Sequence, residues 1–131
     1  AYDVSFILTS PLCTVIISFN PAPVACAVIS VSFFELIDKS SKNPPFLLDV
    51  REPWEYETCH IHQAQLMPMS SLPLRLEELD RDVEIVCICH HGGRSMQVAH
   101  FLERNGFNRI INLTGGVHAW ALQVDTSMPT Y

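Results

Sequence analysis

The 131-residue chain is poor in basic side chains. Eight Lys and Arg stand against fourteen Asp and Glu, the formal charge is −6, and the basic residues are scattered singly from Lys39 to Arg109. No cluster exists to track a phosphate backbone, so nucleic acid is not an expected partner. Charge of either sign is almost missing from residues 1–34, where Asp3 stands alone. The five cysteines, Cys13, Cys26, Cys59, Cys87 and Cys89, lack the paired spacings of a zinc ribbon or a secreted disulfide framework. Free thiols in a reducing compartment, and hence a cytoplasmic location, are the expectation. A membrane span needs about 18 uninterrupted apolar residues, and Thr9, Ser10, Pro11, Asn20 and Pro21 break up the one segment that approaches this. With no Lys or Arg before residue 39, a signal peptide fits poorly as well. Stable membrane insertion is therefore not expected.

What is present suits one globular domain: 48% of the residues are hydrophobic and 17% charged. The change of composition near Glu35 divides the chain into an apolar extension, residues 1–27, and a domain over 28–131. Within the extension, two apolar runs flank Ser10-Pro11 and read as a hairpin or strand pair. From Val28 onward, short apolar runs alternate with helix-like stretches, the pattern of an α/β domain with a parallel sheet. Strands are predicted over Val28–Val31, Phe46–Val50, Gln65–Met67, Glu84–Cys89 and Arg109–Leu113. Helices are predicted around Phe33–Ile37, at Pro53–Glu57, through Leu72, Leu74, Leu76 and Leu79, over Ser95–Asn105, and over Gly116–Leu122. Gly106 falls where a helix C′ residue belongs, and Gly115 and Gly116 suit a turn of positive φ.

The stretch Cys89-His90-His91-Gly92-Gly93-Arg94-Ser95 follows a buried strand and leads into a helix. Ligands of open α/β sheets bind at the carboxyl ends of strands, and glycines there let backbone N–H groups turn inward as an anion-holding nest. A thiol in that position, facing a helix N-terminus and the Arg94 guanidinium, is favoured as thiolate. Cys89 is thus a candidate nucleophile. Cys87 lies two residues inside the strand and reads as a small core residue. Adjacent His90 and His91 in a tight loop seldom converge on one ion, and no second ligand pair of good spacing accompanies them and the two cysteines, so no metal is expected. No cofactor is expected either.

The chain from about Val28 to Tyr131 resembles a rhodanese (thiosulfate sulfurtransferase-like) domain of the single-domain type. The resemblance rests on Leu47-Leu48-Asp49-Val50-Arg51-Glu52-Pro53-Trp54-Glu55-Tyr56, on His60-Ile61 with Ala64 and Pro68, on the loop from Cys89 to Ser95, and on Leu113, Gly115-Gly116 and Trp120. It implies a three-layer fold with a central, mostly parallel five-stranded sheet flanked by helices. It implies, too, that Cys89 takes a sulfane sulfur from a donor such as thiosulfate as a persulfide and passes it to cyanide or a thiol. Arg94 would bind the anionic donor and stabilise the departing sulfite. His90, His91, Gly92, Gly93 and Ser95 would form the substrate loop, the histidines mainly as its rim, and Asp49 and Arg51 a bracing hydrogen-bonded network. Trp54 and Trp120 read as core or loop-packing aromatics.

Phosphatases related to this family need five residues between cysteine and arginine; here four intervene, a ring sized for sulfur. Around Cys59-His60-Ile61-His62-Gln63 the sequence departs from the family pattern, and Cys59 is a candidate resolving thiol for Cys89. The competing function is a non-catalytic binding or regulatory module of a larger protein; retention of Cys89 and Arg94 favours the enzyme. Residues 1–27 also offer an apolar surface for self-association. If they pack on a neighbouring copy, their deletion yields a monomer in sedimentation velocity, whereas an unchanged profile would refute that role.

Overall fold

The computed structural model describes residues 4–10, 13–19, 29–31 and 43–131, the first three stretches as backbone alone. Val4–Ser10 (β1) and Cys13–Phe19 (β2) pair antiparallel, Val4 opposite Phe19 and Ser10 opposite Cys13. This agrees with the hairpin read from the two apolar runs. The helix predicted around Phe33–Ile37 lies outside the described residues.

Five further strands form one sheet: Ile29–Val31 (β3), Phe46–Asp49 (β4), Gln65–Leu66 (β5), Ile85–Ile88 (β6) and Ile110–Leu113 (β7). Their order is β3-β7-β6-β4-β5, and every neighbouring pair is parallel. Such strands are covered on both faces and so read as continuous apolar runs; all four residues of β6 and of β7 are buried. Alternation sends Ile85 and Cys87 to one core with Leu48, Val98, Ala99 and Leu102, and Val86 and Ile88 to a second with Cys59, Ile61, Leu113 and Val117. The predicted strands each run a residue or so too far, because ladder pairing stops where the chain turns toward the loops.

Pro53–Thr58 (α1) opens on a capping box. The Glu52 side chain takes the N–H of Glu55, and the Glu55 side chain takes the N–H of Glu52, with Pro53 in the first turn. Gly93–Arg104 (α2) begins two residues earlier than its apolar stripe suggests. It ends on a Schellman motif, where Gly106 (φ 90°) donates to Glu103 O and Phe107 to Leu102 O. Gly116–Gln123 (α3) closes the described chain's regular structure. The helix predicted through Leu72–Leu79 does not form. Two 3-10 turns, Leu72–Leu74 and Leu76–Glu78, take its place. Leu72, Leu76 and Leu79 keep helical spacing and pack on one core, but Pro73 stands in the first turn and Leu74 is 92% exposed.

The turn between β7 and α3 supports the loop that follows β6. Val117 and His118 donate their backbone N–H groups to Cys89 O and His90 O at 2.9 and 3.1 Å. Gly116 (φ 59°) makes this approach possible, since a Cβ there would stand 2.3 Å from Cys89 O and 2.4 Å from His90 O. Gly93, in contrast, has open space where a Cβ would be. Gly116→Ala should therefore lower the melting temperature by more than about 8 °C, since even 1 kcal/mol is worth about 4–8 °C in a domain this small. Gly93→Ala should leave it within about 3 °C, since the added Cβ enters open space at the first position of α2. Thermal unfolding of the two variants checks the contrast, and equal melting temperatures would contradict it.

Candidate active site

β4 and β6 lie side by side, Asp49 opposite Ile88, so the residues that follow them emerge together at the carboxyl edge of the sheet. Cys89 is the first residue beyond β6 and is 1% exposed. Its Sγ accepts the Gly92 N–H at 3.0 Å. Gly92 caps α2 in the left-handed region (φ 105°), a conformation that turns its N–H back onto the sulfur. Ser95, in the first turn of α2, places its Oγ 3.2 Å from that sulfur, 2.6 Å from Asn112 Oδ1 and 3.2 Å from Gly92 O. With one hydroxyl proton, Ser95 serves one of these three acceptors at a time. Asn112 on β7 holds the loop from below, its Nδ2 directed at Gly92 O.

Arg94 is already paired within the protein. Its two Nη atoms each donate to one oxygen of Glu55 at 2.7 Å, a bidentate pair joining α2 to α1. The Glu55 side chain is 4% exposed and that of Arg94 is 39%. Beneath this pair lies a second, fully buried one. Arg51 donates Nε and Nη2 to Asp49, Nη2 also to Cys59 O, and Nη1 to Glu55 O and to the Tyr131 hydroxyl. Tyr131 in turn donates to Glu55 Oε1 at 3.0 Å, which links the two ion pairs.

His90 and His91 stack, ring centroids 4.1 Å apart and planes 11° from parallel. His118, from α3, tilts against both, and Tyr131 lies over His90 at 4.1 Å. Trp54, read from the sequence as a packing aromatic, is 60% exposed and meets Tyr131 edge-on; Trp120 packs against the second core. Cys59 packs against that second core also, on the sheet face opposite Cys87 and Cys89. Cys59 and Cys89 thus belong to different cores. Glu55, Asn112, His118 and Tyr131 belong to the site yet were not singled out from the sequence for it. Only Glu55 carried a local signal, the Glu52-x-x-Glu55 spacing of a capping box.

The Arg94 guanidinium holds Glu55 down to about 2, against the burial that pushes its carboxyl the other way, and the Glu52 N–H and Tyr131 hydroxyl assist. Burial, and then the neighbouring Cys89, pushes the Cys87 thiol up to about 12, so Cys87 stays protonated and inert. Burial also lowers the His90 pKa, with His91 and His118 acting in the same direction. Because Glu55 is depressed in the fold, its contribution to stability is complete above about pH 4.5 and is lost as pH falls to about 2. Urea titrations at stepped pH should show stability dropping across that window. Glu55→Gln should flatten the drop, and an unaltered slope would contradict the assignment.

The rhodanese-like domain model matches residues 33–123. A sulfurtransferase of Allochromatium vinosum is 39% identical over 75 residues, covering 57% of this chain and 70% of that protein. A chloroplastic rhodanese-like/PpiC domain-containing protein of Arabidopsis thaliana is 39% identical over 89 residues, which cover 65% of this chain but only 30% of that protein. The crystal structure of a rhodanese-like domain protein from Staphylococcus aureus superposes with a TM-score of 0.64 at 34% identity, covering 70% of this chain and 89% of that one. With a family match over well more than half its length and a solved relative that superposes on most of it, the chain belongs to the rhodanese-like domain family.

Proposed function

We propose that this chain is a sulfurtransferase whose catalytic unit lies within residues 28–131 and whose nucleophile is Cys89. The observation that carries the reading is the Gly92 N–H directed at Cys89 Sγ from the cap of α2. A backbone donor fixed on sulfur stabilises negative charge there without any rearrangement during reaction. The sulfurtransferase name of the Allochromatium relative supports the same chemistry. Thiosulfate is the proposed donor and a thiol or cyanide the acceptor. A reducing compartment such as the cytoplasm suits the free thiolate.

In the first half-reaction the Cys89 thiolate attacks the outer sulfur of thiosulfate. A sulfur–sulfur bond forms to Cys89, the bond to the sulfonate sulfur breaks, and sulfite leaves with the electron pair. In the second, cyanide or a thiolate attacks the outer sulfur of the persulfide and Cys89 departs as thiolate. The Gly92 N–H at the cap of α2 and the Ser95 hydroxyl face the charge held on sulfur through the cycle. The Arg94 guanidinium, partly exposed at the loop's edge, attracts the dianion and the departing sulfite while Glu55 fixes its plane. Since Cys89 is 1% exposed, entry of a donor requires the side chains over the loop to swing aside. Those burials also favour the second reading, a binding module without turnover.

Intact-mass measurement after incubation with thiosulfate, then cyanide, separates the two. The expected result is a gain of one sulfur atom that cyanide removes and that Cys89→Ser lacks. Arg94→Ala should lower kcat/KM for thiosulfate by about 10- to 100-fold, the worth of a hydrogen bond to a charged group. No sulfur gained, with Cys89 open to alkylation at neutral pH, would overturn sulfur transfer from thiosulfate and leave the module.

A further inference from the structure

Three histidines from two elements meet at the rim of the loop, and the sulfur chemistry uses none of them as a necessary group. His90 and His91 come from the turn after β6, His118 from the first turn of α3. The His118 N–H donates to His90 O at 3.1 Å, so the two backbones are tied together before any ligand arrives. One ring nitrogen of each histidine lies within 4.8 Å of those of the other two. Nδ1 of His118 is buried with no hydrogen-bond partner. A buried imidazole nitrogen left unpaired costs about 1–3 kcal/mol, so that atom calls for a partner.

We propose that His90, His91 and His118 form a binding site for a divalent transition-metal ion, with Zn2+ the best match. Three neutral imidazoles are a donor set suited to zinc. His118 supplies the third ligand that the adjacent pair lacks in the sequence. The parallel stack of His90 and His91 places their nitrogens side by side, so convergence on one ion requires the exposed His91 ring to turn about its side-chain bonds. His91 is on the outer side, which leaves the fourth zinc position to water or an added anion.

The site is tested on the whole chain with Zn2+ in calorimetry and with Co2+ by visible d–d absorption, neither of which depends on sulfur transfer. One ion per chain is expected, with Co2+ giving the intense spectrum of a low-symmetry imidazole site. His91→Ala and His118→Ala should each weaken binding at least 10-fold, and the exposed His62→Ala should not alter it. Cys89→Ser should retain the ion. Because His91 is exposed, its variant keeps the assay decisive even where His118→Ala disturbs the packing of α3. Absence of stoichiometric binding, unchanged affinity in His91→Ala, or loss of the ion in Cys89→Ser would each overturn the three-imidazole site.

Discussion

A single guanidinium, that of Arg51, organises the carboxyl edge of this sheet. Its side chain is fully buried, and each of its five N–H donors has an acceptor among Asp49, Cys59 O, Glu55 O and the Tyr131 hydroxyl. A charge so enclosed is tolerable only when it is paired and completely hydrogen-bonded, because removing one partner leaves the other charge uncompensated. The end of β4, the whole of α1 and the C-terminal tyrosine are thereby required to meet at one point. Glu55 extends the same constraint to α2 through Arg94, so the helix that caps the Cys89 loop is positioned from two sides.

The loop is also held from behind. Its carbonyls at Cys89 and His90 accept N–H groups of α3, and Gly116 is bare of a side chain where these backbones touch. Orphan N–H groups at one helix's start are thus spent on another loop's carbonyls, while the start of α2 remains oriented toward sulfur. The two helix N-termini converge on one short loop with different tasks. One stabilises its backbone; the other faces its thiol.

How much of this could be read from the sequence follows from the range of each interaction. The strands were legible because buried parallel strands are apolar runs bounded by turns, and α2 because Val98, Ala99 and Leu102 repeat at helical spacing before Gly106. The leucines at 72, 74, 76 and 79 misled because Leu74 points to water and Pro73 favours a tight turn. The cysteine loop was legible as a contiguous motif. The partners that complete it were not: Glu55 reaches Arg94 across 39 residues, Ser95 reaches Asn112 across 17, and Tyr131 reaches Arg51 across 80. No periodicity links such positions, and only folding reveals that Arg94 is committed to a carboxylate.

The Ser95 hydroxyl, with one proton and three acceptors in reach, gives the loop a response that its fixed backbone cannot. Turning about the Cβ–Oγ bond transfers that donor from Asn112 to sulfur with no heavy atom displaced. Hydroxyl reorientation belongs to the fastest class of protein motions, far ahead of loop opening. Dielectric relaxation around Cys89 is accordingly available inside a rigid shell, so charge can appear on sulfur and vanish again without the surrounding structure lagging behind.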